Sequence, residues 1–215
     1  SDVPTESVVI TSTQPGDGKS TVAANLAVAF AQAGKRTLLI DGDMRRPGLT
    51  TLLGLKGQPG LSEVLRDTTP VEESLASRLR VDMVPNLDAL PCGSRPANPA
   101  ELLSGPRLTE LLRWVGTRYE QIIIDSPPAP LASDTAIWGR QAHGVVLVLQ
   151  PEKNKRRAVL RAAEYLAILK IPLLGLVINR VGSQHEKDYT GYGGDYYGHE
   201  STRTKAATDV TEQDE

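Results

Sequence analysis

The feature that most constrains this chain is a set of short aliphatic runs that do not alternate with polar residues. They are Val8-Val9-Ile10, Leu38-Leu39-Ile40, Ile122-Ile123-Ile124, Val145 to Leu149, and Leu173 to Ile178, the last broken only by Gly175. A strand with one wet face alternates. A strand that is apolar at successive positions has both faces covered, as in parallel sheets sandwiched between helices. Helical segments lie between the runs. Ser20 to Ala33 is rich in Ala and Leu and closes at Gly34, a natural C-terminal cap position. Arg107 to Thr117 carries Leu108, Leu111, Leu112 and Val115 at helical spacing, and Arg156 to Lys170 does the same through Val159, Leu160, Ala163, Leu166 and Leu169. Strands alternating with helices predict an α/β fold: a doubly wound, mostly parallel sheet with helices on both faces.

Two stretches depart from that rhythm. Residues 44–104 hold many of the prolines, short helix candidates at Ser62 to Arg66 and Val71 to Leu75, and one strand candidate at Val81 to Val84. They read as an elaborated insertion between core strands. From Gly182 onward Gly, Tyr, Ser, Thr and acidic residues replace the aliphatic pattern, a composition that buries too little apolar area to offset its ordering entropy. The expected organisation is one folded domain over 1–181 and a flexible, tyrosine-rich tail over 182–215.

Composition removes several classes of function. The 24 Lys+Arg against 26 Asp+Glu leave a formal charge of -2, so no positive field favours nucleic acid. A single cysteine, Cys92, forms no intrachain disulfide and no thiol cluster for a metal, as in a reducing cytosol. The longest apolar stretch, Val22 to Ala31, is interrupted by Asn25 and is too short to span a bilayer. No signal-peptide pattern opens the chain. These residues are expected to be soluble, and a start at Ser1 rather than Met points to one part of a longer protein.

The chemistry begins at Thr11-Ser12-Thr13-Gln14-Pro15-Gly16-Asp17-Gly18-Lys19-Ser20-Thr21, between the first strand and the first good helix. A phosphate chain needs a ring of backbone N–H groups, a helix N-terminus aimed at it, a lysine over the β/γ oxygens and a hydroxyl for Mg²⁺. Gly16 and Gly18 let the backbone approach, Lys19 supplies the cation and Ser20 the hydroxyl. The strict eight-residue phosphate-loop pattern fails at one position, where Thr13 replaces its first glycine. The strand before and the helix after make the reading specific.

Leu38-Leu39-Ile40-Asp41-Gly42-Asp43-Met44-Arg45-Arg46-Pro47 then places two carboxylates at spacing two where a strand leaves the sheet, the edge that carries the phosphate loop. Ile122-Ile123-Ile124-Asp125-Ser126-Pro127-Pro128 adds a third there. Three acids beside a triphosphate loop repel it unless Mg²⁺ lies between them, which ties the motifs into one site.

These three motifs, in this order, resemble those of the bacterial tyrosine kinases, the autokinases of polysaccharide biosynthesis. Asp41 to Pro47 is similar to that family's second nucleotide motif, and Asn98-Pro99-Ala100-Glu101-Leu102-Leu103-Ser104 to a further family segment; the similarity covers roughly residues 7–181. The wider class of partition and septum-positioning ATPases carries a signature lysine where this chain has Gln14, which favours the kinase. The tail agrees: Tyr189, Tyr192, Tyr196 and Tyr197, four of six tyrosines, fall within nine residues, interleaved with Gly191, Gly193, Gly194 and Gly198. A bland low-complexity tail is the competing reading. The tail leaves the last strand on the nucleotide edge, and from Val181 to Tyr189 or Tyr197 an extended chain reaches roughly 27 to 55 Å.

The resemblance implies an ATP- and Mg²⁺-dependent protein-tyrosine kinase that phosphorylates its own tail between subunits. In it residues Gln14, Pro15, Gly16, Asp17, Gly18, Lys19, Ser20 and Thr21 bind phosphates, Asn179 and Arg180 meet adenine, and Ser20, Asp43 and Asp125 hold the metal. Asp41 accepts the phenolic proton, an assignment that spacing alone does not make. The implied partners are a second copy of the chain, a membrane-anchored polysaccharide co-polymerase or activator domain (fused upstream or separate), and a cognate phosphotyrosine phosphatase, on the cytoplasmic side of the membrane. Family members carry a Glu/Arg-rich subunit-packing helix before the first strand, and Ser1 falls after it. An ATPase switch without tyrosine transfer, and an activator-dependent nucleotide-binding subunit, remain the alternatives.

Other residues carry weaker readings. Arg45 and Arg46 touch phosphate or a neighbouring subunit, or stand as an exposed basic pair. Lys153, Lys155, Arg156 and Arg157 read as a solvated helix start or an anionic docking surface. His143 reads as structural, and His185 and His199 have no partner at metal-ligand spacing.

Overall fold

The computed structural model describes residues 6–181; the tail tyrosines and the division at residue 182 lie outside them. The aliphatic runs all become strands. β1 (Glu6–Ser12) leads through α1 (Lys19–Gln32) to β2 (Thr37–Asp41). Short helices α2 (Gly48–Leu52), α3 (Leu61–Arg66) and α4 (Val71–Ala76) precede a hairpin of β3 (Arg80–Val84) and β4 (Leu87–Leu90). Helices α5 (Pro99–Leu103) and α6 (Pro106–Gly116) lead to β5 (Gln121–Asp125), then α7 (Asp134–Gln141), β6 (Gly144–Leu149), α8 (Arg156–Ile168) and β7 (Leu173–Ile178).

The seven strands lie in the order β3-β4-β2-β5-β1-β6-β7. Every pairing is parallel except β3 with β4. Successive residues of the central strands enter opposite cores. Val9, Leu38, Ile40, Ile122 and Ile124 pack into one, and Ile10, Leu39 and Ile123 into the other. The second core is closed by α1, whose Ala23, Ala27 and Ala31 are buried against the sheet and let the helix approach closely. α1 ends as its glycine predicts: Gly34 takes φ +80°, Gly34 N–H donates to Ala31 O and Lys35 N–H to Phe30 O, closing the last turn.

Two expectations need correction. Residues 44–104 are not wholly an insertion, because β4 is a core strand paired in parallel with β2, with Leu87, Ala89 and Leu90 buried. Four residues after the tight turn at Asn86 (φ 67°) are too few to display a period. β7 is not covered on both faces either. It is an edge strand, α8 buries only Ala162 and Leu166, and Leu174, Leu176 and Ile178 are each more than half exposed. An apolar run shows that a strand is hydrophobic, not where it stands in the sheet.

Candidate functional site

β1, β2 and β5 are neighbours, and their register sets the site. Ile10 and Asp41 both pair with Asp125 at the carboxyl edge of the sheet. The loop of residues 13–18 rises from β1 directly above this point and delivers Lys19 into the first turn of α1. Gly16 (φ +82°) and Gly18 (φ +93°) are both left-handed, where a side chain is strained. At Gly18 a Cβ would also lie 2.0 Å from Asn179 Nδ2, so a side chain there would push Asn179 from its place. No side chain caps the N-terminus of α1, which leaves its first N–H groups for a ligand.

Lys19, Ser20, Asp43 and Asp125 converge there. Lys19 Nζ lies 3.0 Å from Asp43 Oδ2 and 3.3 Å from Asp125 Oδ1, and Ser20 Oγ donates to Asp125 Oδ2 at 2.6 Å. Burial works against the charge on Lys19, and the carboxylates of Asp125, Asp43 and Asp41 more than offset it, so its pKa stands above the ordinary value. Burial pushes Asp125 up to about 6, against the pull of Lys19 and the Ser20 hydroxyl. Asp41 is fully buried and pushed up to about 7, first by burial and then by Asp125. Its two oxygens accept backbone N–H groups, from Asp43 at 3.2 Å and Thr50 at 2.6 Å, so it sits one layer behind Asp43 and ties β2 to α2.

A cavity of about 490 Å³ opens over these groups. It is lined by Pro15, Gly16, Gly18, Lys19, Ser20 and Thr21 of the loop and first helical turn, by Asp43, Arg45 and Arg46 after β2, by Pro128 and Leu131 after β5, and by Arg180 after β7. The donor set fits a nucleotide with Mg²⁺: open helix N–H groups, glycine backbone, an ammonium, and hard oxygens from a hydroxyl and carboxylates.

The surroundings hold contacts that sequence spacing does not reveal. Asp17 is fully buried. Its Oδ2 accepts from Gln14 N at 3.0 Å and Thr13 Oγ1 at 3.1 Å. Its Oδ1 accepts from Lys153 Nζ at 2.8 Å and Asn154 Nδ2 at 3.2 Å. Lys153 also donates to Pro15 O at 2.6 Å, so this lysine is a clamp on the phosphate loop and not part of a solvated helix face. Asn179 Nδ2 donates to Asp17 O at 3.0 Å, bringing the end of β7 to the same loop. Arg45 is not a free surface charge: its guanidinium forks onto the buried Asp134 carboxylate through two 2.9 Å bonds, which raises its already high pKa. His143 is structural, as expected, its Nδ1 accepting from Ser7 N at 3.0 Å. The partners Asp134, Lys153 and Asn154 are separated from the motifs they serve by 89 to 137 residues, a distance no local pattern spans.

Comparison with known proteins places the chain. The ParA family model, described as NUBPL iron-transfer P-loop NTPase, matches residues 4–208. The chain is 40% identical over 188 residues to tyrosine-protein kinase YwqD of Bacillus subtilis, covering 87% of this chain and 78% of that one. It is 34% identical over 193 residues to tyrosine-protein kinase wzc of Salmonella typhimurium, covering 90% of this chain but only 26% of that longer protein. The crystal structure of the chimerical protein CapA2B2 superposes with a TM-score of 0.76 at 37% identity, over 84% of this chain and 78% of that one. A septum site-determining protein MinD from Pyrococcus horikoshii, complexed with Mg-ADP, superposes at 0.67 and 25% identity, over 83% and 71% of the two chains. The chain belongs to the bacterial tyrosine-protein kinases, a nucleotide-binding family on the partition-ATPase-like branch of the P-loop NTPases.

Proposed function

We propose that this chain is a Mg-ATP-dependent protein-tyrosine kinase that phosphorylates its own C-terminal tyrosine cluster between subunits, in control of exopolysaccharide or capsule synthesis and export. The observation that carries the reading is the convergence of Lys19, Ser20, Asp43 and Asp125 within 3.3 Å contacts beneath the glycine loop. Phosphoryl transfer asks chiefly for positioning and charge neutralisation, and this group supplies both. Lys19 and the backbone of residues 15–20 hold the β and γ phosphates, with Gln14 and Thr21 at the ends of the loop. Ser20, Asp43 and Asp125 hold Mg²⁺, which when bound neutralises charge on the phosphate oxygens. Asn179 and Arg180, at the end of β7, face the base.

Asp41 takes the phenolic proton. A tyrosine with an ordinary pKa near 10 needs help from a base at neutral pH, and Asp41 is the carboxylate that the family resemblance implies for it. The acceptors Tyr189, Tyr192, Tyr196 and Tyr197 lie beyond the described residues and are assigned on sequence. Relatives such as wzc are about four times the length of the matched region, which supports a membrane-anchored activator, fused or separate, on the cytoplasmic face. No helix among the described residues is long and apolar enough to cross a membrane. A phosphotyrosine phosphatase reverses the modification.

The test is to incubate the purified chain with Mg-ATP and map phosphotyrosine by mass spectrometry. Label in residues 189–197 that disappears in Lys19→Met is the expected result. ATP hydrolysis with no phosphotyrosine would place the chain among the ATPase switches instead.

A further inference from the structure

Three arginines line the cavity, and two are accounted for. Arg45 is forked onto Asp134. Arg180 follows β7, four strand positions from β2 and so about 19 Å away at ~4.8 Å per strand. Arg46 is exposed, and no acidic side chain among the described residues pairs with its guanidinium. It is nevertheless well placed, since its backbone N–H donates to Asp43 Oδ1 at 2.9 Å and tethers it beside the reacting end of the site.

The loop after β5 adds Leu131, 65% exposed, and Pro128 to the lining of the same cavity. One contact holds these groups together. Arg45 precedes Arg46 by one residue, Asp134 follows Leu131 by three, and the Arg45–Asp134 fork therefore joins the loop that carries the cation to the loop that carries the leucine. An exposed leucine and an uncompensated guanidinium lining one cavity suit a ligand with a ring and a negative charge close together.

The tail offers that pair twice. Tyr189 is preceded by Asp188 and Tyr196 by Asp195, whereas Tyr192 follows Gly191 and Tyr197 follows Tyr196. In an extended segment neighbouring side chains leave opposite faces, so a tyrosine turned into the cavity leaves the preceding side chain at the mouth. We propose that the mouth reads an acidic residue immediately before the acceptor. Arg46 pairs with Asp188 or Asp195 while Leu131 backs the phenol ring, and Tyr189 and Tyr196 are the preferred acceptors. This rests on the kinase reading above. In the step itself the phenolic oxygen bonds to the γ-phosphorus of ATP as the bond to the β,γ-bridging oxygen breaks. ADP leaves, and the phenolic proton passes to the carboxylate base.

The test uses the full 215-residue chain with Mg-ATP and quantifies initial phosphorylation at each tyrosine by mass spectrometry. Tyr189 and Tyr196 should label about fivefold faster than Tyr192 and Tyr197, the weight of an ion pair at a solvated rim. Asp188→Lys should slow Tyr189 alone, and Arg46→Gln should level the four rates with the KM for ATP unchanged. In a chain carrying Asp188→Lys and Asp195→Lys, Arg46→Glu should restore the labelling of Tyr189 and Tyr196. Equal rates at all four tyrosines in the unmodified chain would overturn the proposal while leaving the kinase reading intact. So would an Arg46→Gln variant that keeps the order, or one that raises the KM for ATP without changing it. Absence of phosphotyrosine at every position would overturn the kinase reading itself.

Discussion

The Lys19 ammonium lies 3.0 Å from the Asp43 carboxylate, both nearly buried, with Asp125 at 3.3 Å on its other side. Without nucleotide the phosphate-loop lysine therefore neutralises the acids that the second and third motifs contribute. Removing one partner of a buried pair typically costs about 3–5 kcal/mol, because the charge left behind stays desolvated. Lys19→Met should abolish phosphoryl transfer and also lower the Tm of the nucleotide-free chain by several degrees at pH 8, read by circular dichroism. An unchanged Tm would show that the ammonium does not hold these carboxylates together.

Asp41 gives the nucleotide-free chain a pH dependence of definite sign. Its folded pKa of about 7 stands above the ordinary carboxylate value, so the native state holds this proton more tightly than the unfolded chain does. That contribution is complete below the unfolded pKa of about 4 and is lost as pH rises through about 7. Stability should fall between pH 5 and pH 8, and Asp41→Asn should flatten the decline. Comparing slopes matters, since asparagine sets an amide donor against one of the two backbone N–H groups that Asp41 accepts. Parallel Tm profiles for the two proteins would remove Asp41 from the account.

The phosphate loop and the three aspartates were legible because each motif is contiguous and each ends an aliphatic strand at the same sheet edge. The doubly wound topology was legible for the same reason. Burial by position was not: β7 has the composition of β5, yet one is an edge strand and the other is central. Long-range partners were equally hidden. Nothing near Lys153 in sequence announces that it closes on Asp17 across 136 residues, and a basic helix start is the ordinary reading of such a cluster. Trp138, fully buried behind Gly42, was also missed. At Gly42 a Cβ would lie 2.7 Å from its Nε1, so that glycine is required by packing as much as by the motif.

Lys153 and Asp17 should act on nucleotide affinity. Lys153→Met removes the cation that bridges Asp17 and Pro15 O, and Asp17→Ala additionally frees Thr13, Gln14 and Asn154. Calorimetric titration with Mg-ATP should show affinity falling about threefold to tenfold for Lys153→Met, the weight of one partly buried charge-assisted bond, and more for Asp17→Ala. Transfer rates at saturating ATP should change little. A variant with normal affinity and a depressed rate would mean that the clamp serves the transfer step instead.

The two carboxylates at the edge of β2 and β5 should separate by kinetics. Asp41→Asn should lose transfer by about 10²-fold or more with modest loss of Mg-ATP affinity, because a base acts in the transition state. Asp125→Asn should lose both, because Asp125 holds Ser20 at 2.6 Å and Lys19 at 3.3 Å in the ground state. Equal losses of affinity in titration calorimetry would contradict this division of roles.

The central claim, a kinase that phosphorylates its own tail in a neighbouring subunit, meets its most direct test in a mixture. One chain keeps Lys19 but has Tyr189, Tyr192, Tyr196 and Tyr197 replaced by Phe; the other carries Lys19→Met and keeps its tyrosines. With Mg-ATP, phosphotyrosine should appear on the Lys19→Met chain, which by itself remains unlabelled. No label on that chain, at concentrations where the unmodified protein labels itself, would contradict transfer between subunits.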